Sequence, residues 1–124
     1  MVNDKVFIKA EELLRDSFLL ALRILESGFR PDYIVGIWRG GTPVGIAVQE
    51  YLDYAGVETD HIAIRTSYYT GIERTAQNVQ VHGLGYLIRK VNQEDSLLIV
   101  DDVFDTGMSI EAVLDELKSR ARLN

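Results

Sequence analysis

The stretch from Leu97 to Ser109 reads LLIVDDVFDTGMS and is the strongest indication of the fold class. Four apolar residues end at two adjacent acids, Asp101 and Asp102, and two further apolar residues lead to Asp105 and the run Thr-Gly-Met-Ser. A short apolar run of this kind is typical of a buried parallel strand, and open α/β sheets bind ligands at the carboxyl ends of such strands. The stretch therefore predicts an α/β fold with a ligand site at these acids.

The residues after the acids predict a phosphate site. An apolar pattern with helical spacing begins directly after Ser109, so Thr106, Gly107 and Ser109 are expected at a helix N-terminus. Unpaired backbone amides, a glycine and two hydroxyls at the positive end of a helix dipole suit an anion, above all a phosphate. The carboxylates of Asp101 and Asp102 suit a vicinal diol, as ribose presents, or a hard cation such as Mg²⁺.

This stretch resembles the 5-phosphoribosyl-1-pyrophosphate (PRPP) signature of the type I phosphoribosyltransferases, with Phe104 where a smaller aliphatic residue is usual. The resemblance implies that Mg²⁺ lies at Asp101 and Asp102, held directly or through water or PRPP. It also implies a catalytic role for Asp105, as the general base that takes or shares a proton at a purine. The residues implied to bind the ribose and its phosphate are Asp101, Asp102, Asp105, Thr106, Gly107, Met108 and Ser109.

A second segment, Tyr33 to Gly45, reads YIVGIWRGGTPVG and has the same order of strand, loop and helix. Its apolar strand ends at Ile37, and Thr42 and Pro43 predict the cap and first turn of the next helix. Arg39 offers a fixed charge with bidentate geometry for phosphate, and the glycines after it let backbone amides approach a ligand closely. The segment resembles the pyrophosphate-binding loop of the same family, which implies a cis peptide bond before the arginine. The residues implied to bind pyrophosphate are Trp38, Arg39, Gly40 and Gly41.

A third segment, Arg65 to Gln77, reads RTSYYTGIERTAQ and predicts a long polar loop. Long loops in compact domains are often lids. Ser67 and Tyr68 match the Ser-Tyr pair of the flexible lid that closes over PRPP in the family. Thr66 stands where some members have lysine, and Arg74 is a candidate substitute.

The resemblance implies Mg²⁺-dependent transfer of the 5-phosphoribosyl group of PRPP to a purine base (hypoxanthine, guanine or xanthine), with release of pyrophosphate, as in purine salvage. The alternative is a non-catalytic PRPP- or nucleotide-sensing regulatory module with the same fold. A simpler interpretation of each motif stays open at this point: Asp101 and Asp102 as surface acids, and Arg39 as a solvated side chain. Members of the family commonly form dimers or tetramers, so a homo-oligomer is expected.

Composition narrows the classes of function. The chain has 124 residues, a formal charge of −6, two histidines and no cysteine, which argues against a zinc site or a cysteine nucleophile. The acidic balance disfavours nucleic acid or a membrane as a partner. The sequence also lacks a P-loop motif, a dinucleotide fingerprint and an apolar run long enough to span a membrane, so a cytoplasmic enzyme is expected.

The alternating segments between the motifs predict a mainly parallel sheet flanked by helices. The resemblance implies that this is the type I phosphoribosyltransferase fold. We expect one domain over residues 1–124, incomplete at its C-terminal side because the family's last strand and hood segment are missing. Apolar spacing predicts a helix from Ala10 to Ser27 and a second helix that ends at Gly56. A helical turn from Tyr86 to Val91 and an additional strand from Asn78 to His82 are also predicted.

Overall fold

The computed structural model describes residues 9–68, 79–101 and 107–120. The helices are α1 (Ala10–Ser27), α2 (Gly41–Tyr54), α3 (Gly85–Lys90) and α4 (Met108–Arg120), and the strands are β1 (Tyr33–Trp38), β2 (Asp60–Tyr68), β3 (Val79–His82) and β4 (Leu97–Val100). This order confirms the α/β class. None of the helices in these ranges combines the length and apolarity needed to cross a membrane.

The four strands form one sheet in the order β3-β2-β1-β4. The strand β1 is parallel to both β2 and β4, whereas β3 is antiparallel to β2. Tyr33 pairs with Asp60 and Leu97, and Gly36 pairs with Val100. The mainly parallel sheet is therefore as predicted, and the carboxyl ends of its three parallel strands lie at one edge.

Helix α1 covers the predicted residues from Ala10 to Ser27. Gly28 ends it in the left-handed conformation, at φ 84°, and its backbone N–H donates to the Leu25 carbonyl. Glycine suits this position because it adopts positive φ without a steric penalty. The extra strand and the short helix near residue 85 also form, at Val79–His82 and Gly85–Lys90.

Helices pack on both faces of the sheet because side chains alternate along each strand. Ile34 and Val100 join one buried cluster with residues of α1 and α2. Val35, Ile37 and Ile64 join a second cluster with residues of α3 and α4. Strand β1 is thus buried from both sides and fixes the centre of a three-layer fold.

Asp32 ties together the amino ends of the three parallel strands. Its backbone N–H donates to the Ser96 carbonyl over 2.8 Å, and its carboxylate accepts the Ser96 N–H, also over 2.8 Å. Its carbonyl accepts the Asp60 N–H over 3.0 Å. Because Ser96 precedes β4 and Asp60 begins β2, one residue aligns the starts of all three strands.

The predicted loop from Arg65 to Gln77 is wrong at its beginning. Residues up to Tyr68 continue β2, because β3 pairs with them from Arg65 opposite His82 to Tyr68 opposite Val79. The remainder of that prediction, residues 69–77, lies outside the described residues.

Candidate functional site

Two predicted phosphate-binding loops leave from neighbouring strands. Strand β1 ends at Trp38 and β4 at Val100, and these strands are hydrogen-bonded to each other. Asp101 follows β4 directly and is half-buried, so its backbone lies at the carboxyl edge where parallel sheets bind ligands. The loop after β1 and the first acid after β4 therefore lie side by side at one edge of the sheet.

Gly41 joins these two loops by close packing. It is buried, and a Cβ placed on it would overlap the Val100 carbonyl oxygen and lie 2.9 Å from the Asp101 Cα. Real Cβ contacts are never this short, so only glycine allows the start of α2 to rest on the end of β4. From the sequence, this glycine was expected to let a ligand approach the backbone. The structure shows that a glycine is required here for packing against the neighbouring strand.

The loop after β1 presents charge and an aromatic ring at the surface. The peptide bond between Trp38 and Arg39 is cis, as the resemblance implied. Trp38 is 52% exposed, the Arg39 side chain is exposed and Gly40 is half-buried. An exposed guanidinium at the end of a strand is an arrangement that can bind an anionic ligand.

Helix α2 begins two residues earlier than predicted. Gly41 is its first residue and Gly40 precedes it, so Thr42 is not the cap. The Thr42 N–H donates to the Arg39 carbonyl over 3.2 Å, while its buried Oγ1 has no hydrogen-bond partner in the described part of the chain. Gly41 is thus both the first residue of α2 and the residue that packs on the end of β4.

The helix that follows β4 begins as expected. Gly107 has φ 76°, and its carbonyl accepts the Glu111 N–H over 2.9 Å, so Gly107 and Met108 form the N-terminus of α4. The Ser109 hydroxyl lies 3.2 Å from the Thr66 hydroxyl of β2, which links the first turn of α4 to the sheet. The remaining residues predicted for this loop, Asp102, Asp105 and Thr106, lie outside the described residues.

The predicted lid pair lies at the end of β2. The Ser67 hydroxyl is 3.0 Å from Nε2 of His82 on β3, so these side chains bridge the two strands. The backbone of Tyr68 pairs with Val79, and its side chain lies outside the described part. Both residues are thus strand residues at the carboxyl edge, next to the segment 69–78.

The described residues at the carboxyl edge supply part of a coordination shell for Mg²⁺. Among residues 9–68, 79–101 and 107–120, no group of three or more His, Asp or Glu side chains is arranged to hold a metal ion. Asp101 nonetheless brings a carboxylate to this edge, and Mg²⁺ is usually held by one or two carboxylates together with substrate phosphates. The described residues fit an ion that arrives with a phosphorylated ligand.

His61 is a residue that the motifs missed. Its ring lies between β1 and α2, and its Nε2 is buried without a hydrogen-bond partner in the described ranges. Burial lowers the pKa of the imidazole below its usual value, and the carboxylate of Asp60 opposes this shift. The sequence signal available for it was a polar residue in an alternating strand. Its approach to Gly36 of β1 and Gly45 of α2 follows only from the packing of α2 on the sheet.

Two of the cavities lined by described residues differ in their position relative to the predicted loops. One of about 320 Å³ adjoins the exposed Trp38 and is lined by Trp38, Ala63, Ile64, Arg65, His82 and Gly83. Another of about 460 Å³ lies at the far end of α2, lined by Gln49, Glu50, Asp53, Glu58 and Thr59. Of these two cavities, the one at Trp38 adjoins a predicted binding loop.

Comparison with known proteins agrees with this geometry. The family model described as "Phosphoribosyl transferase domain" matches residues 8–121. The chain is 30% identical over 121 residues to the bifunctional protein PyrR of Pasteurella multocida, covering 92% of this chain and 66% of that protein. It is 28% identical over 118 residues to a hypoxanthine/guanine phosphoribosyltransferase of Methanocella paludicola, covering 94% of this chain and 59% of that protein.

A solved structure shows the same fold. The crystal structure of a purine phosphoribosyltransferase from Pyrococcus horikoshii aligns with a TM-score of 0.72 and 27% identity, over 95% of this chain and 70% of that one. The chain spans between 59% and 66% of the length of the two relatives named above.

Proposed function

Because this chain belongs to the phosphoribosyl transferase domain family, we propose that it binds PRPP with Mg²⁺ and transfers the phosphoribosyl group to a purine base. Hypoxanthine, guanine and xanthine are the proposed acceptors, in line with the hypoxanthine/guanine enzyme and the purine enzyme that resemble the chain. Pyrophosphate is the second product.

The observation that carries this proposal is the contact of Gly41 with the end of β4. It holds the loop with Arg39 against the backbone of Asp101, and these two loops are the proposed binding sites for pyrophosphate and ribose. PRPP carries its pyrophosphate and its hydroxyls on the same ribose ring. A site for PRPP therefore needs these two loops side by side, which is the arrangement at this edge.

The proposed roles follow from charge and position. The loop from Trp38 to Gly41 binds the pyrophosphate, and the exposed guanidinium of Arg39 stabilises the charge that develops as the C1–O bond breaks. The N-terminus of α4, from Gly107 to Ser109, binds the 5-phosphate together with Thr106. Ser67 and Tyr68 are the proposed residues of a lid that closes over the substrate and excludes water from the reacting carbon.

The acids complete the proposed chemistry. Asp101 and Asp102 accept hydrogen bonds from the ribose hydroxyls and would hold Mg²⁺ with the substrate; the ion, when bound, neutralises phosphate charge. The base nitrogen forms a bond to C1 while the electron pair of the C1–O bond leaves with pyrophosphate. Asp105 takes the proton from the base.

The test is direct. The purified protein is mixed with PRPP, Mg²⁺ and each purine, and nucleotide and pyrophosphate are quantified by chromatography, while calorimetry measures PRPP binding. We expect stoichiometric nucleotide and pyrophosphate with at least one base. The D105N variant should slow turnover and keep PRPP affinity, because it removes the proton acceptor and retains the side-chain shape.

The outcomes separate the alternatives. PRPP binding without turnover for any base would favour the non-catalytic sensing module. Absence of PRPP binding would refute both. A parallel loss of affinity and turnover in D105N would reassign Asp105 from proton transfer to ligand binding.

A further inference from the structure

We propose that His61 is a positioning residue for the proposed pyrophosphate loop: its imidazole holds the first turns of α2 against β1 and thereby fixes the segment Trp38 to Gly41. This inference rests on the proposed function, because the segment is the proposed pyrophosphate site.

The ring of His61 fills a slot between two glycines. A Cβ placed on Gly36 of β1 would lie 2.8 Å from Nε2 of His61. A Cβ placed on Gly45 of α2 would lie 2.7 Å from the same nitrogen and 2.8 Å from Cε1. The backbones of β1 and α2 thus both come close to the same ring nitrogen. Neither position has room for a side chain while His61 is in place.

The two glycines flank the loop along the chain. Gly36 is two residues before Trp38, and Gly45 is four residues, about one helical turn, after Gly41. The Cβ placed on Gly36 would also lie 3.4 Å from the Thr42 Cα and 3.5 Å from the Gly41 carbonyl oxygen. His61, on a third element, therefore contacts the chain on both sides of the loop, and its removal frees α2 to shift toward the sheet.

The shape of the side chain suits this position. The atoms that the two glycine positions approach, Nε2 and Cε1, lie at the far edge of the imidazole, so the ring reaches into space that the glycines leave open by having no side chain. Burying the Nε2 atom without a hydrogen-bond partner in the described ranges costs free energy that an apolar residue would avoid. The imidazole is thus explained by its fit to the slot rather than by hydrophobic burial.

The first experiment compares PRPP affinity with stability. We expect the H61A variant to weaken PRPP binding roughly 10- to 100-fold, because small misplacements of binding groups have effects of this size. The KM for the base should change little, because the substitution is expected to weaken the binding of PRPP and not that of the base. The matched control is L52A, which removes a fully buried side chain near the other end of α2 and should lower Tm without changing PRPP affinity.

The second experiment tests the contact itself by a double-mutant cycle. G45A places a methyl group against the ring, so it should weaken PRPP binding and lower Tm in the wild-type background. In the H61A background the same change should have little effect on either, because the methyl group enters space that the ring has left.

Several results would overturn the inference. If H61A lowers Tm as L52A does and leaves PRPP affinity unchanged, His61 is a packing residue only. If G45A is equally harmful in both backgrounds, the ring does not occupy the slot. If the wild-type protein itself fails to bind PRPP, the proposed function is refuted, whereas the Tm cycle still reports whether the ring lies between the glycines.

Discussion

Replacing Gly41 by alanine tests the contact on which the proposed site depends. The added Cβ would overlap the Val100 carbonyl oxygen and lie 2.9 Å from the Asp101 Cα, and both are backbone atoms that cannot rotate away. Overpacking of this kind typically costs about 1–3 kcal/mol. For a chain of this size the cost corresponds to a Tm lower by roughly 4–12 °C. Relief of the overlap also moves the loop with Arg39 away from β4, and we expect roughly 10- to 100-fold weaker PRPP binding.

The assay combines thermal unfolding with PRPP titration by calorimetry. The matched control for stability is G40A, because Gly40 is half-buried with φ −67°, a conformation that alanine adopts readily. G40A should keep the wild-type Tm. An unchanged Tm in G41A would refute the close contact. A lower Tm with unchanged PRPP affinity would refute the link between this contact and the ligand.

Three further predictions concern titration and hydrogen bonds. Since burial lowers the pKa of His61 from 6.5, the unfolded chain takes up the proton first, so the free energy of unfolding should be unaffected above pH 6.5 and fall as the pH drops below it. Urea unfolding between pH 5 and 8 measures this, and an equal slope in H61Q would contradict it. T66V or S109A alone should lower the free energy of unfolding by about 1 kcal/mol. The double variant should lose less than the sum of the two, because the two hydroxyls share one hydrogen bond. Additive losses in urea unfolding would exclude this coupling. The Tyr86 hydroxyl donates to Asp60 over 2.6 Å at the surface, so Y86F should change stability by less than about 0.5 kcal/mol, and a loss above about 1.5 kcal/mol in the same assay would show a stronger interaction.

Local signals in the sequence account for the elements that were predicted well. Helix α1 has a clear apolar stripe and a glycine stop, so its bounds from Ala10 to Ser27 follow from spacing and chain geometry alone. Strand β1 was predicted within one residue, because its apolar run ends at a change to charged and small residues. Both signals lie within the element itself.

The missed features depend on neighbours that are distant in the chain. Arg65 to Tyr68 are polar and have little strand pattern, yet β3 extends β2 through them by hydrogen bonding. The role of Gly41 requires knowing that β4 lies beside β1 rather than beyond β2. The slot for His61 requires α2 to cross the same sheet face. Contacts of this kind depend on strand order, which is difficult to predict from a single sequence.

The hydrogen bonds of Asp32 have a consequence for where the site is controlled. Asp32 aligns the starts of the strands, so it also sets how far along the sheet Arg39 and Asp101 lie at the other ends of β1 and β4. A shift of one strand by one residue would displace one loop from the other by about 3.3 Å. The relative position of the two candidate binding loops therefore depends on hydrogen bonds at the opposite edge of the sheet, a full strand length away. A mutational scan of binding would show two separate bands of sensitive positions, with a tolerant zone between them.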